Sequence, residues 1–320
     1  MKTAFDLLSP GGVRGRLSTL IFHRVLDEVD PLFPDEVDAR RFDELCGWVK
    51  AWFNVLPLDE AIAMLRAGTL PRRALTITFD DGYEDNHRLA MPILQGHGLS
   101  ATFFVATRFL DGGCMWNDRI IEAVRSAPGP LLGVPAVSTL DAVQLPLRNA
   151  TERRAAIGKL IKRIKYLSLE PREEAVAAVE HAARAASPAH LMMRSEQVYD
   201  LARQGMQVGG HTESHPILAS LDEVSARKEI ERGKHRLEAI VQKPVTLFAY
   251  PNGKPQTDYT RTTVDLARQA GFDAAVSTAW GAARTTSDTF QLPRFTPWDR
   301  TRGRFALRLL ANLRYRPVLA

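Results

Sequence analysis

Residues 74–83 read ALTITFDDGY. The first six residues, Ala74 to Phe79, are apolar or β-branched with no polar alternation. That is the pattern of a strand covered on both faces, as in a parallel sheet. Two adjacent carboxylates, Asp80 and Asp81, follow at the strand end and meet a turn at Gly82. Six other short runs have the same near-continuous apolar character: LSTLIFHRV (core 18–25), FNVLPL (53–58), SATFFVAT (100–107), MQVGGHT (206–212), TLFAYP (246–251) and DAAVST (273–278).

Helical patterns lie between these runs. They cover 41–52, 58–68 with Asp59 as N-cap and Gly68 as stop, 84–97 ending at Gly98, and 194–204 with Ser195 as cap and Gly205 as stop. Two more cover 221–240, beginning near Asp222, and 262–271, closing at Gly271. Strands alternating with helices predict an α/β chain with a parallel sheet. Seven strand candidates favour a closed or nearly closed (β/α) barrel, with an open doubly wound sheet as the second choice. No G-x-G-x-x-G or Walker-type loop follows a strand, so nothing points to a nucleotide.

The rhythm breaks between Asp111 and Met193, where no convincing strand is visible. This stretch holds a Pro/Gly-rich loop at 127–137 and helical segments at 151–168 and 171–186. We expect one barrel domain over 1–299 with a mostly helical insertion at about 111–193, and a basic amphipathic tail at 300–320. The insertion either covers the barrel mouth and meets substrate or adds packing alone.

The chain has 320 residues, with 45% hydrophobic and 25% charged, the composition of a folded globular protein rather than a disordered one. Two cysteines, Cys46 and Cys114, exclude a disulfide framework. The net charge of +5 has a location: residues 300–320 hold six arginines and no acid, leaving 36 basic against 37 acidic residues in 1–299. A nearly neutral body argues against a nucleic-acid-binding surface. The N-terminal residues have no apolar run of about 7–15 residues after a basic start, and no stretch of about 20 apolar residues could span a bilayer. A cytoplasmic location is the expectation, with the cytoplasmic face of the membrane as its variant.

Chemistry concentrates at strand ends, where parallel α/β folds carry their functional groups. Asp80 and Asp81 are one such pair; the bland alternative is an Asp-Asp-Gly turn that caps the next helix. HTESHP (211–216) is the second feature. His211 and His215 are four apart, so one helical turn would put both imidazoles on one face, a spacing that suits zinc-like ions. Gly209 and Gly210 before them would let backbone approach a small site closely. Two histidines and one carboxylate leave open positions for water, and the other carboxylate could act as general base. The chemistry implied is hydrolysis of a carbonyl compound.

TFDDGY taken with HTESHP resembles the NodB-type polysaccharide deacetylases, a carbohydrate esterase superfamily that removes acetyl groups from sugars. The resemblance covers roughly residues 18–110 and 194–296. It implies a distorted, TIM-like (β/α)7 barrel and a divalent metal, usually zinc, with cobalt or nickel as alternatives. Carried over, Asp80 is the base, and Asp81, His211 and His215 are the metal ligands. FAYPNG (248–253) is similar to a family segment that commonly reads R-x-P-Y-G. Here Ala249 stands at the Arg position and Asn252 at the Tyr position. Asn252 can still offer a backbone N–H to an oxyanion. Arg294, in LPRF (292–295), is the candidate replacement for the missing guanidinium, with a surface arginine as the alternative. Many relatives place an acid histidine late in the chain; after His235 there is none. His23, at the end of the first strand, resembles the histidine of a biofilm-polysaccharide deacetylase branch and becomes the candidate acid.

The expected substrate is therefore an N-acetylated sugar of a polysaccharide, oligosaccharide or lipid-linked saccharide. A deformylase or ring amidohydrolase on the same barrel, and a catalytically lapsed saccharide-binding protein, are the competing readings. Tyr83, Trp116, Phe295 and Trp298 are candidate platforms for a sugar ring. The basic tail either packs on the barrel or lies on an anionic membrane.

Overall fold

The computed structural model describes residues 2–320 and divides into two compact units. The larger comprises the residues through Glu28, Val37–Leu110 and Met193–Ala320; the smaller comprises Val29–Glu36 and Asp111–Met192. In chain order the strands are β1 (Leu17–Phe22), β2 (Asn54–Val55), β3 (Ala74–Phe79), β4 (Thr102–Val105), β5 (Leu131–Val134), β6 (Val143–Pro146), β7 (Gln207–Gly210), β8 (Leu247–Ala249) and β9 (Ala274–Val276). Seven of them form one parallel sheet in the order β1-β3-β4-β7-β8-β9, with β2 also paired to β3. Each of the seven apolar runs in the sequence contributes one of these strands.

The sheet curls, and an eighth segment joins its ends. Leu292 exchanges hydrogen bonds with Ala275 and Ser277 on the β9 side, at 2.9 and 2.8 Å. Phe295 donates to Thr19 at 2.8 Å and accepts from Ile21 at 3.1 Å on the β1 side. Residues 292–295 thus bridge β9 and β1, which closes the sheet into a barrel rather than leaving it open. Arg294 lies inside this closing segment and is buried.

The barrel's principal core joins Phe22, Phe79, Phe103 and Phe248 to helix residues such as Phe42, Leu45 and Leu237. Its helices start largely where the sequence suggests. Asp222 caps the helix Glu223–Val241 by accepting from Ser225 N, and Gly68 ends the helix Leu58–Ala67 in the left-handed conformation. Two caps differ by position. Pro57 precedes the helix that Asp59 was expected to cap, leaving Asp59 in its first turn, and Arg194 takes the cap position expected of Ser195. The helical segment after Tyr83 contains a π-helical stretch, Asn86–Ala90, before the α-helix Met91–Gly96.

The smaller unit has its own core, with Trp116, Ile120, Leu160, Val176 and Val179 buried together. Helices Trp116–Ser126, Ala150–Ile164 and Leu169–Ala183 dominate it. It also contains an antiparallel hairpin, β5 with β6, where the sequence offered no convincing strand. Both hairpin strands alternate buried and exposed residues over only four positions. So short an alternation, preceded by Pro130 and ending on Pro146, is hidden in a loop-like composition.

The basic C-terminal segment forms the helix Arg302–Asn312, which turns Phe305, Ala306 and Leu309 inward. Phe305 meets Trp48, Trp52 and Phe295, with ring centroids 6.1–6.4 Å apart. Replacing a fully buried phenylalanine by alanine removes its packing and leaves a cavity. Phe305→Ala should therefore lower unfolding free energy by about 3–5 kcal/mol. A denaturant melt within error of the wild type would show that the helix is not part of the barrel's cooperative unit.

Candidate metal centre and active site

The strand end at Asp80 is shaped by backbone rather than by composition. Asp80 stays on the ladder, donating its N–H to Phe22 O at 3.0 Å. The next residue, Asp81, turns into the left-handed region with φ 77°, and Gly82 follows at 92°. In a regular strand two neighbouring side chains point to opposite faces. The left-handed turn at Asp81 breaks that alternation one residue earlier than the glycine alone suggests. Gly82 has a packing reason of its own, since a Cβ there would lie 2.9 Å from Val105 Cγ1.

His211 follows β7 directly and is buried. Its Nδ1 lies 2.7 Å from the carbonyl oxygen of Ala249. A carbonyl can only accept, so Nδ1 carries the hydrogen and Nε2 faces the other way. There it stands 3.3 Å from Asp81 Oδ1, while His215 Nε2 stands 3.4 Å from the same oxygen. The three ligand atoms lie within 4.8 Å of one another. Asp81 Oδ1 is buried and has no hydrogen-bond partner. A buried carboxylate oxygen facing two imidazole nitrogens at this separation calls for a cation between them. The residues present therefore fit a divalent metal.

The three groups also act on one another electrostatically. Burial alone would raise the Asp81 carboxyl, but the facing histidines outweigh it and hold it well below the usual range. Burial lowers His215 to about 4, so it is neutral and ready to be a ligand at neutral pH. For His211 burial also works downward, yet Asp81 and Asp80 outweigh it and raise the imidazole above its usual range.

The histidine pair is not carried on a helical turn, as the spacing suggested. Thr212 and His215 are both left-handed, at φ 67° and 54°, and Thr212 Oγ1 accepts from His215 N at 3.0 Å. The hydroxyl closes a tight loop that brings the rings to 4.7 Å. Glu229 secures the loop from the helix Glu223–Val241, accepting from Ser214 N at 2.8 Å and Ser214 Oγ at 2.6 Å. Gly233 of the same helix makes room for it: a Cβ there would be 2.5 Å from the carbonyl of Thr212. Gly209 and Gly210 serve the core instead of the site, because a Cβ on them would strike the rings of Phe104 and Phe272 at 2.4 and 2.9 Å.

Arg294 meets Asp80 in a bidentate pair, Nη1 to Oδ1 at 2.6 Å and Nη2 to Oδ2 at 2.7 Å. Its Nε donates to Ser277 O at 2.9 Å and its Nη1 also reaches Thr78 Oγ1 at 3.2 Å. Burial would raise the Asp80 carboxyl; the Arg294 charge and His211 overcome this and lower it. Ala249, where the resembling family has arginine, gives only its carbonyl, to His211.

His23 lies exposed after β1, and its charge acts on Asp80, Asp81 and His215. Its carbonyl accepts from Asn86 Nδ2 at 2.8 Å. Asp85, buried beside it, accepts from Arg24 Nε at 2.8 Å and Val25 N at 3.1 Å, tying the end of β1 to the Asp-Asp-Gly turn. Asn252 is left-handed at φ 58°, in the turn after β8. Tyr83 is buried, with the Arg24 guanidinium 4.8 Å above its ring, which covers one face a sugar would use. Trp116 and Phe295 are also buried in cores, so of the proposed platforms Trp298 alone is open to solvent. Sequence reading missed Arg24, Asp85, Asn86, Thr212, Glu229 and Gly233. The one with a usable signal was Gly233, an isolated glycine inside a helical pattern.

Two outcomes follow from this geometry. Breaking a buried ion pair leaves an uncompensated charge, so Arg294→Met should destabilise the fold by about 3–5 kcal/mol. Adding Asp80→Asn to it should recover part of that loss, and strictly additive unfolding energies would sink the coupling. Alanine normally stabilises a helix interior relative to glycine, by about 0.5–1 kcal/mol. At Gly233 the contact with Thr212 reverses the sign, and Gly233→Ala should lower stability by about 1–3 kcal/mol and weaken zinc binding in a metal titration. Unchanged zinc affinity would show that the helix does not hold the histidine loop.

Comparison with known proteins agrees with this architecture. The family model for polysaccharide deacetylase matches residues 67–128 and 172–275, just over half of the chain. YxkH of Bacillus subtilis (strain 168), named among the polysaccharide deacetylases, is 22% identical over 260 residues, 81% of this chain. The chain spans 64% of that protein's length. Among solved structures, the Streptococcus pyogenes deacetylase PplD in complex with acetate superposes with a TM-score of 0.62 at 18% identity, covering 92% of this chain and 98% of its own. IcaB from Ammonifex degensii gives 0.59 at 18% identity, covering 96% and 99%. These structural likenesses establish the shared fold. With just over half of its residues matched by the family model, the chain belongs to the polysaccharide deacetylase family.

Proposed function

We propose that the chain is a metal-dependent hydrolase that removes N-acetyl groups from a sugar of a polysaccharide, oligosaccharide or lipid-linked saccharide. The observation that carries this reading is the buried, unpartnered Asp81 Oδ1 facing His211 and His215 beside an arginine-clamped second carboxylate. Asp81, His211 and His215 would hold the cation, with zinc as the first choice for an N₂O ligand set. A bound divalent cation supplies Lewis acidity at the acetyl carbonyl oxygen.

The chain's own residues do the rest. Asp80 has both oxygens engaged by Arg294, but each retains a second lone pair that can accept a proton from the attacking water. A carboxyl held below its usual range is a weaker base than a free one, so the clamp trades basicity for fixed orientation. The backbone N–H of Asn252 is the proposed donor to the developing oxyanion. His23, exposed to solvent and electrostatically linked to the carboxylates, gives a proton to the departing sugar amine and can recover it from water. Arg294 positions Asp80 and touches no substrate atom in this scheme.

Acetate release from N-acetylglucosamine oligomers is the direct test. Asp80→Asn should cut kcat by about 10²–10⁴-fold, the range of general base catalysis, while zinc content stays stoichiometric. His211→Ala should lose both zinc and activity. Full activity in either variant would overturn the assignment. A wild type that binds zinc and saccharide yet releases no acetate would support a saccharide-binding protein instead.

A further inference from the structure

Three arginines meet at the start of β1, at the far end of the barrel from the candidate metal centre. Leu17 and Ala283 form an antiparallel bridge, each donating its N–H to the other's carbonyl at 2.9 Å. Arg16 and Arg284 flank that bridge, so they stand opposite each other and on the same face. The Arg16 side chain reaches the end of the helix Arg302–Asn312, where Nη1 donates to Leu313 O. Arg314 follows directly. Burial, and then the charges of Arg284 and Arg314, lower the Arg16 guanidinium below its ordinary value. Among the described residues none of the three arginines has a carboxylate partner. The acids nearest to them in the chain are engaged elsewhere: Asp6 by Arg72 and Arg73, Asp288 by Arg261 and Arg268, and Asp299 by Arg308.

Such an arrangement costs free energy, since like charges directly opposite across a strand pair destabilise it. The Leu313 carbonyl offsets only part of the cost, because a helix end carries a fraction of a charge. The surrounding backbone nevertheless holds the cluster together. Ser9 Oγ donates to Arg16 O at 2.9 Å, and Arg284 N donates to Ser287 Oγ at 2.9 Å. Thr285 Oγ1 donates to Val13 O at 3.4 Å, which ties in the 3-10 turn Gly12–Arg14. Arg16 and Arg284 are partly buried, while Arg314 is exposed and leaves the cluster open to solvent.

We propose that Arg16, Arg284 and Arg314 form a binding site for a phosphate group, free or carried as a phospholipid headgroup. Three guanidiniums bring up to three charges and several N–H forks. A tetrahedral phosphate can meet several forks at once, whereas a carboxylate has two oxygens and one charge. The site is separate from the proposed hydrolysis. β1 has six residues, so Arg16 lies about 20 Å from the strand end that carries His23. Val13, 72% exposed on the adjoining turn, puts an apolar side chain beside the cluster, which makes a lipid source worth testing against free phosphate.

The experiment uses the full-length protein with Arg284→Gln and Arg314→Gln, and with Arg304→Gln as a control. Arg304 is exposed and lies ten residues before Arg314, about 15 Å earlier along the helix. Thermal melts are run in sodium phosphate and in sodium chloride of equal ionic strength. Sedimentation with phosphatidylglycerol and with phosphatidylcholine vesicles is measured separately. Phosphate should raise the wild-type Tm above its value in chloride. Arg284→Gln or Arg314→Gln should remove most of that difference, and Arg304→Gln should keep it. With a headgroup as the source, the wild type also sediments with phosphatidylglycerol and not phosphatidylcholine, and each of the two variants weakens this by about fivefold. With free phosphate as the source, the melts respond and the vesicles do not. Arg284→Glu, which sets a carboxylate opposite Arg16, should raise Tm in chloride by about 1–3 °C and abolish the phosphate effect. An equal phosphate response in the wild type and both glutamine variants overturns the site, as does an equal loss in Arg304→Gln. A wild type that responds to neither phosphate nor vesicles overturns it too. A Tm for Arg284→Glu in chloride at or below the wild type overturns the opposed-charge geometry and the site with it.

Discussion

The buried pair between Arg294 and Asp80 is the constraint around which the rest is arranged. Both side chains are almost wholly out of water. Taking two charges from water costs several kcal/mol per ion, and excellent geometry is needed to offset it. Here the guanidinium meets the carboxylate in a bidentate fork, and its remaining N–H groups find Ser277 O and Thr78 Oγ1. The pair does two jobs through one contact. It ties the segment that joins β9 to β1 across to β3, and it fixes the carboxylate that the proposed reaction uses as base. A lysine could satisfy the charge but not the fork.

Around that pair the backbone is unusually strained. Asp81, Thr212, His215 and Asn252 all have positive φ, and none is glycine. Such conformations cost of the order of 1–3 kcal/mol each and persist only when surroundings over-determine them. The surroundings are visible. Ala106 N reaches Asp81 O at 3.2 Å, Thr212 Oγ1 and Glu229 lock the histidine loop, and Thr278 Oγ1 donates to Asn252 O at 2.9 Å. Helix packing is recruited as well, since Gly233 exists to let the loop approach. The strain sits at the three strand ends that carry the candidate ligands and the proposed oxyanion donor, which is where a preorganised site would store it.

How much of this was legible in the sequence depends on the range of the interaction. Continuous apolar runs signal a strand locally, so each of the seven barrel strands could be read from its own residues. The hairpin β5–β6 could not, because four-residue alternation between prolines has no local signature. The candidate site residues were legible where a motif put them at strand ends, as with Asp80, Asp81, His211 and His215. Their geometry was not. The helical turn expected for the two histidines fails because Thr212 closes a side-chain-to-backbone turn that spacing does not encode. Arg24, Asp85 and Glu229 act through contacts with partners far along the chain. Arg294 was reached only because the resemblance left a vacancy for a guanidinium.

The basic C-terminus shows why a charge count alone is a weak guide to partners. Six arginines without an acid suggest an anionic surface. Two of them already have other work: Arg302 lies 5.1 Å from the Trp52 ring, and Arg308 stacks over three rings while pairing with Asp299. A guanidinium is planar and weakly hydrated, so it can pack on an indole and keep its charge. Arginine in this segment therefore builds aromatic structure as well as a field.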